Sequence, residues 1–242
     1  MHAPAIRCAQ VGERTRWTHA PVTAPIADMT VCGTNPTRFN APAMDAPPTV
    51  ISGSAVEVCL ESSYELGEGA VWTTAYGNEG AFLHVDILGC TTSIHRPAVG
   101  GLVTFRLPSV VGTVVPVVGG RQLLVALAKG PAFVDVTTGA VARVGSGDLE
   151  PLLPANRCND GKAGPDGRFY YGTMHGASVD PRPPTGSLYV MDHDGTSRQL
   201  LSGVTVSNGL AWSADEKTMY YIDTPTMNVQ AFDWDAAKGA IR

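Results

Sequence analysis

The run NRCNDGKAGPDGRFYYGTM, Asn156 to Met174, sets a guanidinium and two amides beside a tight turn and an aromatic strand. An Arg fork and an Asn amide on a short segment can grip the oxygens of a sugar-like ligand or a metal-bound water, while the strand behind holds them still. Arg157 and Asn159 flank Cys158, so in an extended segment both point one way and Cys158 the other. That alternation favours one shared site. Asn159-Asp160-Gly161 is equally a strong turn signal, in which the two side chains would only cap a hairpin through their own backbone. Arg157 has no such structural reading.

Two further segments carry oxygens. In YELGEGAVW, Glu68 lies between Gly67 and Gly69, where missing side chains let a ligand or ion approach the carboxylate, although a Glu entering a strand is commonly just solvated. In TVSNGLAWSADEKTMYYID, Asn208-Gly209 precedes a strand and a second turn follows at Ala214 to Glu216. Taken alone, Asn-Gly is more often a turn than a ligand. Two such turns one repeat apart would put amide oxygens at equivalent rims, and with Glu68 they would form an all-oxygen cluster suited to a hard cation such as Ca²⁺, Mg²⁺ or Mn²⁺. His84, His95, His175 and His193 show no HxH or HxxxH spacing, which favours core or surface roles, with His175 the one to watch. Asp86 and Asp223 each end an aromatic strand and are expected to brace turns. No GxSxG elbow or phosphate loop occurs, which removes serine-hydrolase and nucleotide readings.

These residues need a rigid frame, and the chain after Thr49 supplies strand-and-turn grammar with almost no helical periodicity. A Gly- or acid-bearing turn followed by an apolar strand recurs at Phe82, Leu124, Tyr170 and Tyr220, at intervals of 42, 46 and 50 residues. A weak repeat of that length in an all-β chain is the signature of propeller blades, with a β-sandwich as the alternative. About four blades fit between residue 60 and Arg242. Residues 1–50 hold Pro21, Pro25, Pro36, Pro42, Pro47 and Pro48 and no sustained periodicity, so they read as a flexible or disordered leader, with a transit peptide or an incorrect start as alternatives. Residues 51–242 read as one partial propeller domain.

Composition narrows the function. A formal net charge of -5 without a dense Lys/Arg tract gives no electrostatic footprint for nucleic acid or an anionic membrane. No window reaches the ~18 apolar residues of a membrane span. Five Cys at irregular spacings, with no CxxC pair, argue against a disulfide framework and a thiolate zinc site, and point to a reduced, cytoplasmic setting.

LGEGAVW, FLHVDI, NRCNDGKAGPDGRFYYGTM, TGSLYVMD and VSNGLAWSADEKTMYYID followed by VQAFDWD resemble, in that order, the senescence marker protein-30/regucalcin/gluconolactonase family across roughly Glu57 to Arg242. The resemblance implies a six-bladed β-propeller, here incomplete, with the C-terminal blades missing, and hydrolysis of a sugar lactone with one divalent metal (Ca²⁺, Zn²⁺, Mn²⁺ or Mg²⁺). By motif, Glu68 and Asn208 match metal ligands, Arg157 and Asn159 match the substrate-binding pair with Asn159 also close to the metal, and Asp160 matches a residue next to that site. No catalytic base is identified: the family's Asp, in a later motif resembling PDG before an apolar strand, is expected beyond position 242, so the chain is expected to be a poor catalyst. Mammalian members place an acidic substrate contact after the GTM strand, where this chain reads GTMHGAS with Ala177 near that place. The competing expectation is a non-catalytic, calcium-binding interaction propeller.

Overall fold

The computed structural model describes residues 56–242 together with a two-residue strand, β1 (Cys8–Ala9), which pairs antiparallel with β2 (Val56–Glu57). The remainder of the 1–50 segment lies outside the described residues. Four four-stranded antiparallel sheets follow, arranged as the blades of a β-propeller. The first blade contains β3 (Gly67–Thr73), β4 (Ala81–Asp86), β5 (Thr91–Arg96) and β6 (Gly101–Arg106). The second contains β7 (Val111–Pro116), β8 (Gln122–Leu127), β9 (Gly130–Asp135) and β10 (Val141–Arg143). The third contains β11 (Asn156–Ala163), β12 (Phe169–His175), β13 (Gly186–Met191) and β14 (Ser197–Val204). The fourth contains β15 (Ser207–Trp212), β16 (Thr218–Asp223), β17 (Gln230–Asp235) and β18 (Ala240–Ile241).

All four repeat anchors fall in the second strand of their blade, Phe82 in β4, Leu124 in β8, Tyr170 in β12 and Tyr220 in β16. The sequence repeat is therefore the blade. A turn precedes each of these strands; in the third blade it is closed by a 3.0 Å bond from Gly167 N to Gly164 O, in the fourth by a 2.9 Å bond from Glu216 N to Ser213 O.

The core lies between the blades. Strand β8 reads QLLVAL because both faces of its sheet are covered, so successive residues serve different neighbours. Leu123, Val125 and Leu127 join Leu83, Val85 and Ile94 of the first blade, whereas Leu124 and Ala126 join Cys158, Phe169 and Tyr171 of the third. A third cluster packs Tyr170, Leu188 and Val190 against Leu210, Met219, Tyr221 and Trp234 of the fourth blade. Tyr170 is fully buried there and still satisfied: its hydroxyl donates to Asp166 Oδ2 at 2.9 Å and accepts Trp234 Nε1–H at 3.0 Å.

Asp86 and Asp223 play one role twice. Asp86 accepts the backbone N–H groups of Glu65, Leu66 and Gly89 at 3.0 to 3.1 Å, and Asp223 accepts those of Thr205 and Val206 at 3.0 and 2.8 Å. Each carboxylate thus fixes the segment entering the first strand of its own blade, and Asp86 also braces the β4–β5 turn. Because Glu68 and Asn208 stand just beyond those entries, these two buried acids set where the candidate ligands begin.

Candidate functional site

The first strands of all four blades share one irregularity. Their pairing register slips between Glu68 and Val71 in β3, Val111 and Thr113 in β7, Cys158 and Gly161 in β11, and Asn208 and Leu210 in β15. A bulge places an extra residue in one strand and re-aims its side chain. In β3 and β15 the residue after the oxygen-bearing side chain is a glycine with positive φ, Gly69 at 64° and Gly209 at 36°, backbone that a side-chain-bearing residue rarely adopts. The Asn159-Asp160-Gly161 and Asn208-Gly209 turn signals are therefore used as bulges inside strands rather than as hairpin turns, with Asp160 Oδ1 still accepting the Gly161 N–H at 2.8 Å.

The bulges converge on a single cavity of about 190 Å³, lined by Glu68, Gly112, Arg157, Asn159, Asp160 and Asn208, so every blade contributes. All five sequence-selected site residues are present in it. Asp160, expected beside the site, lines the cavity itself. The volume suits a compact molecule, below the ~300–1,000 Å³ of sites for drug-sized ligands.

As the alternation along β11 requires, Cys158 is buried on the opposite side, and burial pushes its thiol pKa up to about 12, which leaves it inert. Arg157 Nη1 donates to Asn159 Oδ1 and to the Cys158 carbonyl, each at 2.8 Å. Asn159 Nδ2 donates across the blade boundary to Ser207 O at 2.8 Å, and Thr113 Oγ1 donates to Gly161 O at 3.0 Å. These bonds tie the first strands of the second, third and fourth blades together at the cavity. Asn208 Nδ2 donates to Thr224 Oγ1 at 3.0 Å, which turns its Oδ1 away from that bond, and nothing among the described residues donates to the Glu68 carboxylate.

Two groups have shifted ionisation. Burial raises the Asp160 carboxyl pKa, with the backbone N–H groups of Gly161 and Gly209 pulling the other way. Burial and then the Arg182 charge lower the pKa of the Arg157 guanidinium. The histidines stay outside this chemistry: His84 is buried in β4 beside the Tyr64 hydroxyl at 2.8 Å, and burial followed by the His95 charge lowers its pKa to about 4. Among the described residues no group of three or more His, Cys, Asp and Glu side chains could hold a metal ion.

Gly112 and Arg182 are among the cavity residues that the sequence did not single out. Gly112 hides in an apolar strand, VGTVVP, where a glycine carries no chemical signal; a Cβ on it would meet the Asn159 carbonyl oxygen 2.0 Å away. Arg182 sits in the Pro-rich connection DPRPP between β12 and β13, outside any periodic segment. A cation set between two prolines, Pro181 and Pro183, is the one signal that could have drawn notice.

A propeller whose bulged first strands bring oxygens to one cavity defines the class of β-propellers with a pocket sized for a small ligand. Residues 66–242 match the model of the SMP-30/Gluconolactonase/LRE-like region, and the chain belongs to that family. Regucalcin of Xenopus laevis is 33% identical over 199 residues, covering 78% of this chain and 62% of that protein. Regucalcin of Danio rerio is also 33% identical, over 195 residues, with 79% and 62% covered. Among solved structures, a luciferin-regenerating enzyme superposes with a TM-score of 0.67 at 31% identity, covering 74% of this chain and 59% of that one. A calcium-binding protein, regucalcin, from Agrobacterium tumefaciens gives 0.67 at 26% identity, covering 76% and 59%. A gluconolactonase from Xanthomonas campestris shares the fold, with a TM-score of 0.56 at 20% identity. The chain spans about 62% of the length of the curated relatives it matches. Among the described residues no helix is long and apolar enough to cross a membrane.

Proposed function

We propose that this chain carries the ligand-gathering part of a divalent-metal-dependent lactonase acting on a sugar lactone. The observation that carries the reading is the meeting of Glu68, Arg157, Asn159 and Asn208, from three different blades, in one cavity. The relatives' names support it, since they include a gluconolactonase and a calcium-binding protein.

The donor set fits the implied ion. Glu68 brings a carboxylate with no competing donor, Asn208 an amide oxygen turned from its Thr224 bond, and Asn159 an amide oxygen that already accepts Arg157 and keeps a second lone pair. An all-oxygen set of this kind suits Ca²⁺, Mg²⁺ or Mn²⁺, and Zn²⁺ also accepts carboxylate oxygen. When bound, such an ion supplies polarisation of the lactone carbonyl and a lowered pKa for water.

The chain's own residues then bind and orient. Among the described residues Arg157 Nε and Nη2 have no hydrogen-bond partner, so they are available to lactone ring and hydroxyl oxygens. The Arg157 to Asn159 bond locks the guanidinium plane, and the bond to Ser207 O locks Asn159 in turn, which is the preorganisation that positioning requires. Burial raises the Asp160 carboxyl pKa above its ordinary value, opposed by the backbone N–H groups of Gly161 and Gly209.

The test is calorimetric binding of Ca²⁺, Zn²⁺, Mn²⁺ and Mg²⁺ alongside hydrolysis of glucono-δ-lactone, followed by proton release. Glu68→Gln is expected to abolish measurable metal binding, and Arg157→Ala to lower kcat/KM by about 10²-fold while metal binding persists. Metal binding with no turnover, in this chain and in one extended to the full length of its relatives, would favour the non-catalytic calcium-binding reading instead. No metal binding in the wild type sinks both.

A further inference from the structure

The lactonase reading leaves one cavity residue unexplained. Arg182 lines the same space as Arg157, so two guanidiniums share a cavity of about 190 Å³. Neither comes within 4.0 Å of a carboxylate oxygen among the described residues. Among the described residues Arg182 is also poorly satisfied: Nη2 donates to Ala177 O at a long 3.3 Å, Nη1 approaches only the Met174 thioether at 3.9 Å, and Nε is buried without a partner. A buried donor left unpaired costs about 1–3 kcal/mol, and two like charges in a small, partly dry space add to that cost. Glu68 and Asp160 line the same cavity, yet neither carboxylate lies within 4.0 Å of either guanidinium.

Such an arrangement is explained when the missing partner is an anion that both forks can reach. Guanidiniums bind planar or tetrahedral oxyanions through paired N–H donors, and desolvation in a cavity strengthens each bond. Arg157, with Nε and Nη2 free, and Arg182, with Nε free, provide donors from two sides. Their supports differ: Arg157 projects from a strand, whereas Arg182 hangs from the β12–β13 connection, where a change in one residue alters the cavity charge without touching the frame.

We propose that Arg182 is a specificity-determining residue, and that with Arg157 it selects a sugar lactone bearing an acidic oxyanion group, carboxylate or phosphate, over a neutral one. This rests on the lactonase reading for the identity of the sugar, but the anion preference can be read without turnover. A neutral lactone would leave Arg182 Nε unpaired and neither fork with an anionic partner at bonding distance; the acidic one supplies an acceptor that both can reach.

The experiment is calorimetric binding of three hydroxy-acid products to the full chain: gluconate, glucarate with a second carboxylate, and 6-phosphogluconate with a phosphate. The wild type is expected to bind glucarate or 6-phosphogluconate roughly tenfold more tightly than gluconate, the value of one good charge-assisted contact, and the larger ratio identifies carboxylate or phosphate as the recognised group. In Arg182→Ala the ratio is expected to fall towards one, and Arg182→Lys to retain part of it as a point charge without the fork. Circular dichroism of both variants separates lost recognition from lost folding. Equal affinities in the wild type, no binding of any of the three, or a ratio unchanged in folded Arg182→Ala each overturn the assignment. If the ratio depends on Arg182 while no lactone is hydrolysed, the anion site stands and the lactonase reading falls. Hydrolysis of glucono-δ-lactone with no Arg182-dependent ratio has the opposite meaning.

Discussion

The second blade differs from the other three in what stands at its bulge. In β3 and β15 the oxygen-bearing residues Glu68 and Asn208 are the last paired residues before the slip, in β11 Asn159 lies within it, and in β7, between Val111 and Thr113, the slip holds only Gly112. The missing side chain leaves room that is used, because the backbone of Asn159 fills the space that a Cβ on Gly112 would occupy. The bulge is the shared device, and residue choice divides the blades into three that offer oxygens and one that makes way for a neighbour to do so. Thr113, next to Gly112, secures the approach through its bond to Gly161 O.

The largest effect is expected at the glycine. Gly112→Ala puts a Cβ where the Asn159 carbonyl oxygen stands 2.0 Å away, backbone against backbone, so β11 must move. A stability loss of about 3 kcal/mol or more is expected, as for strong overpacking, read as a lowered urea midpoint, together with loss of metal binding. An unchanged midpoint would mean that the second blade is no spacer.

A smaller effect is expected from Asn208→Ala. This removes one oxygen and the 3.0 Å bond to Thr224 Oγ1 from a half-buried position, so metal affinity should fall by about 10- to 100-fold while stability changes by less than about 1 kcal/mol. Equal losses in affinity and stability would instead make Asn208 a structural residue like Gly112.

The smallest effect belongs to Asp160→Asn, and it depends on pH. Burial raises the Asp160 pKa above its ordinary value of 3.8, so the ionised carboxylate opposes folding. That cost is absent in acid, grows as pH rises past 3.8, and is complete above the folded-state value. Thermal melts of Asp160→Asn should therefore show a modest gain at neutral pH that vanishes below pH 3.8. A gain independent of pH would assign the effect to packing.

Much of this was legible in the sequence, for identifiable reasons. Turn-plus-strand grammar around Tyr170 and Tyr220 is local chemistry, and it located the second strand of each blade. The two-residue period around Cys158 correctly put Arg157 and Asn159 on one side, because alternation survives up to the bulge. The bulges themselves were not legible, since Asn-Gly and Asn-Asp-Gly are written with the letters of a turn and only register in a formed sheet distinguishes the two. Gly112 and Arg182 were invisible for a related reason: the value of each comes from a neighbour distant in sequence, Asn159 for one and Arg157 for the other.

The hydrophobic clusters join the first blade to the second, the second to the third and the third to the fourth, and among the described residues none joins the first to the fourth. Among the described residues, placement of the first blade relative to the fourth is consequently carried through three successive seams, each adding its own slack, as in any stack held by nearest neighbours. An occupant gripped by Glu68 on one side and Asn208 on the other would bypass those seams and act as a strut between the two blades.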